Sequence, residues 1–162
     1  MVSYSISHKL SYSLAPSLVS TTMSRNSQPS IRIPRGIRNN NPLNIRVGNT
    51  WLGEVNNPTD SEFEQFVDVT YGLRAAFCIL RRYIRRYQSN TIRKIVSRWA
   101  PASENNTALY VSFVAQRVNC NPDAIIDYFN EPVMIAIVRA MAKYECGQEI
   151  EEAVVRRGYQ MA

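Results

Sequence analysis

The spacing of apolar residues predicts a mainly helical chain after residue 68. Apolar side chains recur at intervals of three and four from Leu73 to Tyr87, which places them on one face of a helix. Asn90 is predicted to cap a helix over "TIRKIVSRWA", and further helices are expected from Leu109 to Val118 and, more briefly, from Asn121 to Tyr128. The middle of the chain is therefore expected to form several amphipathic helices.

Two more helices are predicted in the last third of the chain. Asn130 is expected to cap an apolar helix, "VMIAIVRAMAKYE", that ends near Cys146-Gly147. Glycine readily adopts the left-handed backbone conformation that closes a helix. A last helix, "EIEEAVVRR", is predicted to stop at Gly158.

Before residue 68 the pattern changes to alternation, which is typical of strands. "LNIRV" and "TWLGEV" alternate and are separated by Gly48-Asn49, which predicts a short hairpin, and "EFEQF" is a candidate third strand. The predicted fold class is therefore α+β, mainly α, with a small N-terminal β-hairpin or sheet. The predicted folded domain covers residues 35–162.

Residues 1–34 lack such a pattern. They are rich in serine, contain no acidic residue and show no sustained helical period. A segment of this composition is poorly suited to a packed core and is predicted to be a flexible leader or linker. The alternatives are a secretory signal near Leu10 to Val19 and a natural start at Met23.

The charge of the chain predicts affinity for polyanions. The 162 residues carry a formal net charge of +6, which attracts nucleic acid, anionic lipid or the acidic polymers of a cell wall. On the predicted helix, four arginines form a stripe along one side: Arg81, Arg82, Arg85 and Arg86. This stripe predicts either a face that follows phosphates or an ordinary solvated helix face. No apolar run is long enough to predict a transmembrane segment.

Several catalytic classes are excluded by composition. His8 is the sole histidine and lies in the predicted leader, which argues against Ser-His-Asp or Cys-His catalysis and against an imidazole-bound zinc ion. Cys78, Cys120 and Cys146 show no metal-binding spacing, and the glycines form no phosphate loop. No metal or cofactor is expected. The functions that remain are catalysis by carboxylate groups and binding without catalysis.

Glu145 is the carboxylate best placed for chemistry. It lies at the end of the apolar helix, directly before Cys146-Gly147. The negative end of the helix dipole and the apolar neighbours are both expected to raise the pKa of its carboxyl group, as a general acid requires. The alternative is an ordinary glutamate of a last helical turn that points to solvent.

The order of several sequence blocks resembles a known family. "RGIRNNNPLNIR", Trp51, "FEQFVDVTYGLRAAFCIL", "RWAPASENNTALYV" and "KYECG" resemble phage and prophage virion-associated proteins that are similar to the lysozyme-like superfamily. The resemblance runs from about Arg35 to the last residue. It implies cleavage of peptidoglycan glycan strands, as a lysozyme or a lytic transglycosylase does. It also implies a location in the phage virion, or in the host cytoplasm and then the periplasm or cell wall.

The resemblance further implies a permuted arrangement. In flagellar and autolysin-type glucosaminidases, a catalytic glutamate ends a helix before a glycine, and a motif similar to "NNNPLNIR" with a nearby tryptophan follows. Here the glutamate in "KYECG" comes last. The implied fold is a circularly permuted lysozyme in which the Glu145 helix packs against the hairpin between Asn39 and Trp51.

The implied site contains acids and amide-bearing residues. Glu145 would protonate the leaving oxygen, while Glu64, Glu104 or Glu54 would supply a second carboxylate for a hydrolase. Without such a partner, the resemblance implies a lytic transglycosylase. The implied substrate-binding residues are Asn39, Asn40, Asn41, Asn44, Trp51, Asn105 and Tyr110.

Alternatives remain for these residues and for the whole chain. The asparagine triplet also suits a turn, and the residues around Asn105 also suit a helix cap. Relatives typically have glycine where Leu43 stands and asparagine where Cys146 stands, so the resemblance also allows a slow or inactive copy. The rival hypothesis is a non-enzymatic virion component that binds glycan, other virion proteins or nucleic acid.

Overall fold

The computed structural model describes residues 33–103 and 106–162 of the chain. The predicted leader as far as Arg32, together with Glu104 and Asn105, therefore lies outside the described residues. The elements below all belong to one compact unit.

The described part of the chain is mainly helical, which confirms the coarse fold prediction. Its helices are α1 (Arg35–Arg38), α2 (Val69–Tyr87), α3 (Ile92–Trp99), α4 (Thr107–Val118), α5 (Glu131–Cys146) and α6 (Glu152–Gln160). The apolar periodicity predicted α2 to α6. It did not predict α1, because four residues are too few to show a helical period.

Side chains cap the helices largely where the sequence indicates. Asp68 accepts a hydrogen bond from the Thr70 backbone N–H at the start of α2, and Asn130 does the same for α5. Gly147 closes α5 with a φ of 73°. The prediction for α3 was wrong by one residue, because Thr91, not Asn90, accepts the hydrogen bond from the first turn.

Two predictions about helices were wrong. The segment from Asn121 to Tyr128 forms turns, since the backbone N–H of Ile126 donates to the Asn90 carbonyl at 2.8 Å and so leaves the helical path. Gly158 does not end α6. A Cβ at Gly158 would lie 2.7 Å from the Cβ of Leu73, so glycine lets α6 pack closely on α2.

The predicted hairpin around Gly48-Asn49 is not confirmed. Its two segments pair instead with the third candidate strand, through antiparallel bridges between Arg46 and Phe63 and between Glu54 and Phe66. The side-chain amide of Asn41 explains this register, because it donates to the carbonyl groups at positions 45 and 64, both at 2.9 Å. These two hydrogen bonds hold the "LNIRV" segment beside the "EFEQF" segment.

The core lies between α2, α5 and the helices that cover them. α2 packs against α6, and α4 packs against α5, and most of the apolar residues of α2 and α5 lie in the core. Within residues 33–103 and 106–162, no helix combines the length and the apolar character needed to cross a bilayer. The loop that follows α1 lies against the end of α5, and this contact positions the candidate site.

Candidate active site

Glu145 lies in the last turn of α5, where it meets the loop after α1. The side-chain amide of Asn44 donates to Glu145 Oε2 at 3.1 Å and lies 3.4 Å from the Glu145 backbone carbonyl. Asn44 has a φ of 52°, a conformation that asparagine tolerates better than most residues. The loop after α1 and the end of α5, which are about 100 residues apart in the chain, therefore meet at this carboxylate.

Two further donors hold the Glu145 carboxylate. The side chains of Trp99 and Tyr110 each form a hydrogen bond with it. The Tyr110 hydroxyl also donates to the Met141 carbonyl at 3.5 Å. The ring of Tyr110 stacks on that of Tyr144 with 3.9 Å between centroids, which fixes the position of the hydroxyl.

Burial raises the pKa of the Glu145 carboxyl group. The group is half-buried, and desolvation outweighs the hydrogen bonds from Asn44, Tyr110 and Trp99, which favour the charged form. The direction agrees with the sequence prediction, and loss of solvent is its main cause. Glu145 therefore keeps a proton to higher pH than an exposed glutamate does.

A cavity of about 240 Å³ lies beside this acid. Trp99 and Asn44, which both bind Glu145, line it, and the Trp99 and Tyr83 rings meet edge to face at 6.4 Å. The remaining lining residues are Ile45, Arg46, Asn49 and Ile79. The cavity is smaller than the roughly 300–1,000 Å³ of a typical small-molecule pocket. It suits one unit of a longer substrate.

Glu64 is a second buried carboxylate, and it lies behind the residues that line the cavity. It is 7% exposed, and its Oε1 atom has no hydrogen-bond partner among the described residues. The backbone N–H groups of Gly48 and Asn49 bind the carboxylate, and Asn49 lines the cavity. Burial, followed by the nearby charge of Glu54, raises the pKa of the Glu64 carboxyl.

The asparagine triplet forms structural contacts. Asn39 donates to the Asp60 carboxylate at 2.7 Å, and Asn40 donates to the Phe66 carbonyl at 2.9 Å. Asn41 is fully buried and bridges two backbone carbonyl groups. These amide donors hold the 60–66 segment against the loop after α1, so the contacts seen here support a structural role for the triplet and do not support the predicted substrate-binding role. Asn44 is the asparagine of this stretch that reaches the acid.

Trp99, and not Trp51 as predicted from the sequence, is the tryptophan beside Glu145. The Trp51 side chain is half-buried against the core, its indole N–H has no acceptor in the described part of the chain, and its backbone N–H donates to the Glu54 carboxylate. Trp51 does not line the cavity beside Glu145. Tyr110 is 1% exposed, so it positions the acid and does not contact substrate. Sequence reasoning missed Trp99, although it lies in one of the blocks that resemble the family.

The two departures from the family pattern leave the cavity open. Leu43 buries its side chain completely in the core and does not line the cavity. Cys146 is buried at the end of α5, and burial raises the pKa of its thiol. A Cβ at Gly36 would lie 2.8 Å from Asn44 Oδ1 and 3.4 Å from the Cys146 Cβ, so glycine allows α1 to approach both.

Asn44→Asp is expected to raise the pKa of Glu145 further, because it replaces an amide donor by a negative charge. A carboxyl pKa raised by folding makes stability fall as pH rises through that pKa. The variant should therefore match the wild type at acidic pH. At neutral pH its free energy of unfolding should be lower by about 1.5–3 kcal/mol, as for loss of a hydrogen bond to a charged group.

Urea unfolding across the acidic and neutral range measures this difference. In a Glu145→Gln background, Asn44→Asp should lose most of its dependence on pH, because the repelling carboxylate is gone. A loss of stability that is equal at every pH in both backgrounds would contradict direct coupling between these side chains.

Comparison with known proteins finds a similar protein from a phage. No family model matches the chain. The chain is similar to Protein P5 from Pseudoalteromonas phage PM2, with 38% identity over 117 residues. The match covers 70% of this chain and 71% of Protein P5. A phage protein of similar length is therefore similar to this chain over most of its length.

Proposed function

This chain belongs to the family of Protein P5 from Pseudoalteromonas phage PM2, and we propose from its own site that it cleaves the glycan strands of bacterial peptidoglycan. The proposed site is lysozyme-like, and the proposed setting is the phage particle or the lysis of its host. The observation that carries the proposal is Glu145, a half-buried acid with a raised pKa that lies beside a cavity lined by Trp99 and Asn44.

Glu145 would act as the general acid. Its proton moves to the glycosidic oxygen as the bond to the anomeric carbon breaks, and the leaving sugar departs as an alcohol. The donors from Asn44, Tyr110 and Trp99 then stabilise the carboxylate that remains. The raised pKa supplies the proton, and the three hydrogen bonds lower the cost of giving it up.

Glu64 would supply the second carboxylate. Its Oε1 atom is buried and has no hydrogen-bond partner in the described part of the chain, so the side chain would have to rotate towards the cavity to orient a water molecule or to approach the anomeric carbon. The Gly48 and Asn49 N–H groups bind the carboxylate, and Asn49 lines the cavity. A hydrolase requires such a second carboxylate, whereas in the transglycosylase route a hydroxyl of the sugar itself attacks.

Release of soluble fragments from purified peptidoglycan tests the proposal. The wild-type chain should solubilise the polymer at acidic to neutral pH, and mass analysis should find fragments with reducing sugar ends. Fragments with anhydro ends would support cleavage but contradict the role of Glu64. No release at any pH in that range would refute the enzymatic proposal.

A second candidate is non-enzymatic binding of a glycan end or a virion partner. The small size of the cavity favours it, because 240 Å³ is less than a groove for several sugars requires. Retention of the chain on insoluble peptidoglycan without release of fragments would support this function.

A further inference from the structure

Three arginines of α2 face solvent without an acidic partner. Arg82, Arg85 and Arg86 are exposed, and none of them forms an ion pair among residues 33–103 and 106–162. Residues spaced by three or four positions are neighbours on a helix, about one turn of 5.4 Å apart. Arg81, which the sequence reading grouped with them, differs because its guanidinium donates to the Ala162 carbonyl.

Aromatic rings lie beside two of these arginines. The guanidinium of Arg85 lies 5.9 Å from the Phe129 ring centroid, and that of Arg86 lies 5.8 Å from the ring centroid of Tyr87. Phe129 is 69% exposed and Tyr87 is 43% exposed. Both rings therefore have surface that a planar group can still reach.

A basic cavity continues this surface onto α3. It has a volume of about 480 Å³ and is lined by Ser89, Lys94, Ser97, Arg98 and Pro101. The lining offers two cations and two hydroxyl groups and contains no carboxylate. The guanidinium of Arg98 lies 4.3 Å from the Tyr87 ring centroid. This contact connects the cavity with the exposed arginines of α2.

We infer that Arg82, Arg85, Arg86, Lys94 and Arg98, here called the arginine face, bind single-stranded nucleic acid without sequence preference. Arginines in a row neutralise successive phosphates, and exposed rings among them stack on unpaired bases. A duplex would leave Phe129 and Tyr87 unused, because its bases are already stacked. This inference does not depend on the proposed glycosidase activity.

Anisotropy of a labelled oligothymidine, measured with the intact chain over a range of salt concentrations, tests the inference. The triple variant Arg82→Gln, Arg85→Gln, Arg86→Gln should bind at least ten-fold more weakly. The slope of log affinity against log salt should fall by about 2, because each lost contact removes about 0.7 on a single strand. Tyr87→Leu with Phe129→Leu should weaken binding while leaving the slope unchanged.

A control variant that loses the same number of positive charges distinguishes a specific binding site from general electrostatic attraction. Arg93, Arg117 and Arg139 are each paired with an acidic side chain, and changing them to glutamine also removes three charges. This control should reduce affinity much less than the arginine-face variant. An equal reduction, equal affinity for a duplex, or binding to phosphatidylglycerol vesicles but not to the oligonucleotide would overturn the inference.

Discussion

Glu145→Gln should reduce the release of peptidoglycan fragments by about 10²- to 10⁴-fold, the usual contribution of a general acid. Glutamine keeps the size of the side chain and its ability to accept hydrogen bonds from Asn44, Tyr110 and Trp99. It has no proton to transfer to the leaving oxygen. The measurement is the initial rate of fragment release by wild type and variant at equal concentration.

Glu149→Gln is the matched control. Glu149 lies shortly after α5, and its exposed carboxylate pairs with Arg117 at 2.7 Å. Its loss removes the same charge from the same region but should leave the rate unchanged. A Glu145→Gln variant that keeps the wild-type rate would contradict the proposed mechanism, provided that the wild type is active.

Stability measurements distinguish a chemical defect from misfolding. Because folding raises the pKa of Glu145, its ionisation disfavours the folded state, and stability falls as pH rises through that pKa. Glu145→Gln should therefore be at least as stable as the wild type at neutral pH. For the same reason, the wild-type rate should fall as pH rises through the pKa of Glu145, because the acid must be protonated.

Local signals account for the parts of the fold that the sequence predicted well. α2 and α5 show sustained apolar periods, and an Asp or Asn cap begins each of them. The segment from Asn121 to Tyr128 has start signals of the same kind, yet Asn and Pro suit turns as well as helices. The hydrogen bond from Ile126 to Asn90 decides between the two, and no local pattern contains it.

Only the part of the candidate site that is formed by residues close together in the sequence could be predicted. Glu145 stands out because its helix, its apolar neighbours and the following glycine are consecutive in the chain. Trp99 and Asn44 reach it from distant segments, so single-sequence reasoning had no physical basis for preferring Trp99 to Trp51. Asn44 was grouped with Asn39 to Asn41, although their amides serve different contacts.

Glu64→Gln is expected to reduce fragment release by about 10²-fold or more, since it removes the carboxylate assigned as base or nucleophile. Glutamine at this position can still accept hydrogen bonds from the Gly48 and Asn49 N–H groups, so the cavity wall should keep its shape. Folding raises the pKa of Glu64, and therefore the variant should gain stability at neutral pH and lose none at acidic pH. Thermal unfolding at both pH values measures this.

The control and the product analysis decide how Glu64 acts. Glu62→Gln changes an exposed carboxylate of the same segment that pairs with Arg35 at 2.8 Å, and it should leave the rate unchanged. If Glu64 directs water to the anomeric carbon, wild-type products carry reducing ends and Glu64→Gln is slow. Anhydro products at an unchanged rate in Glu64→Gln would mean that Glu145 acts without a second carboxylate. Glu64 would then be a buried group that costs the fold stability at neutral pH without serving the reaction.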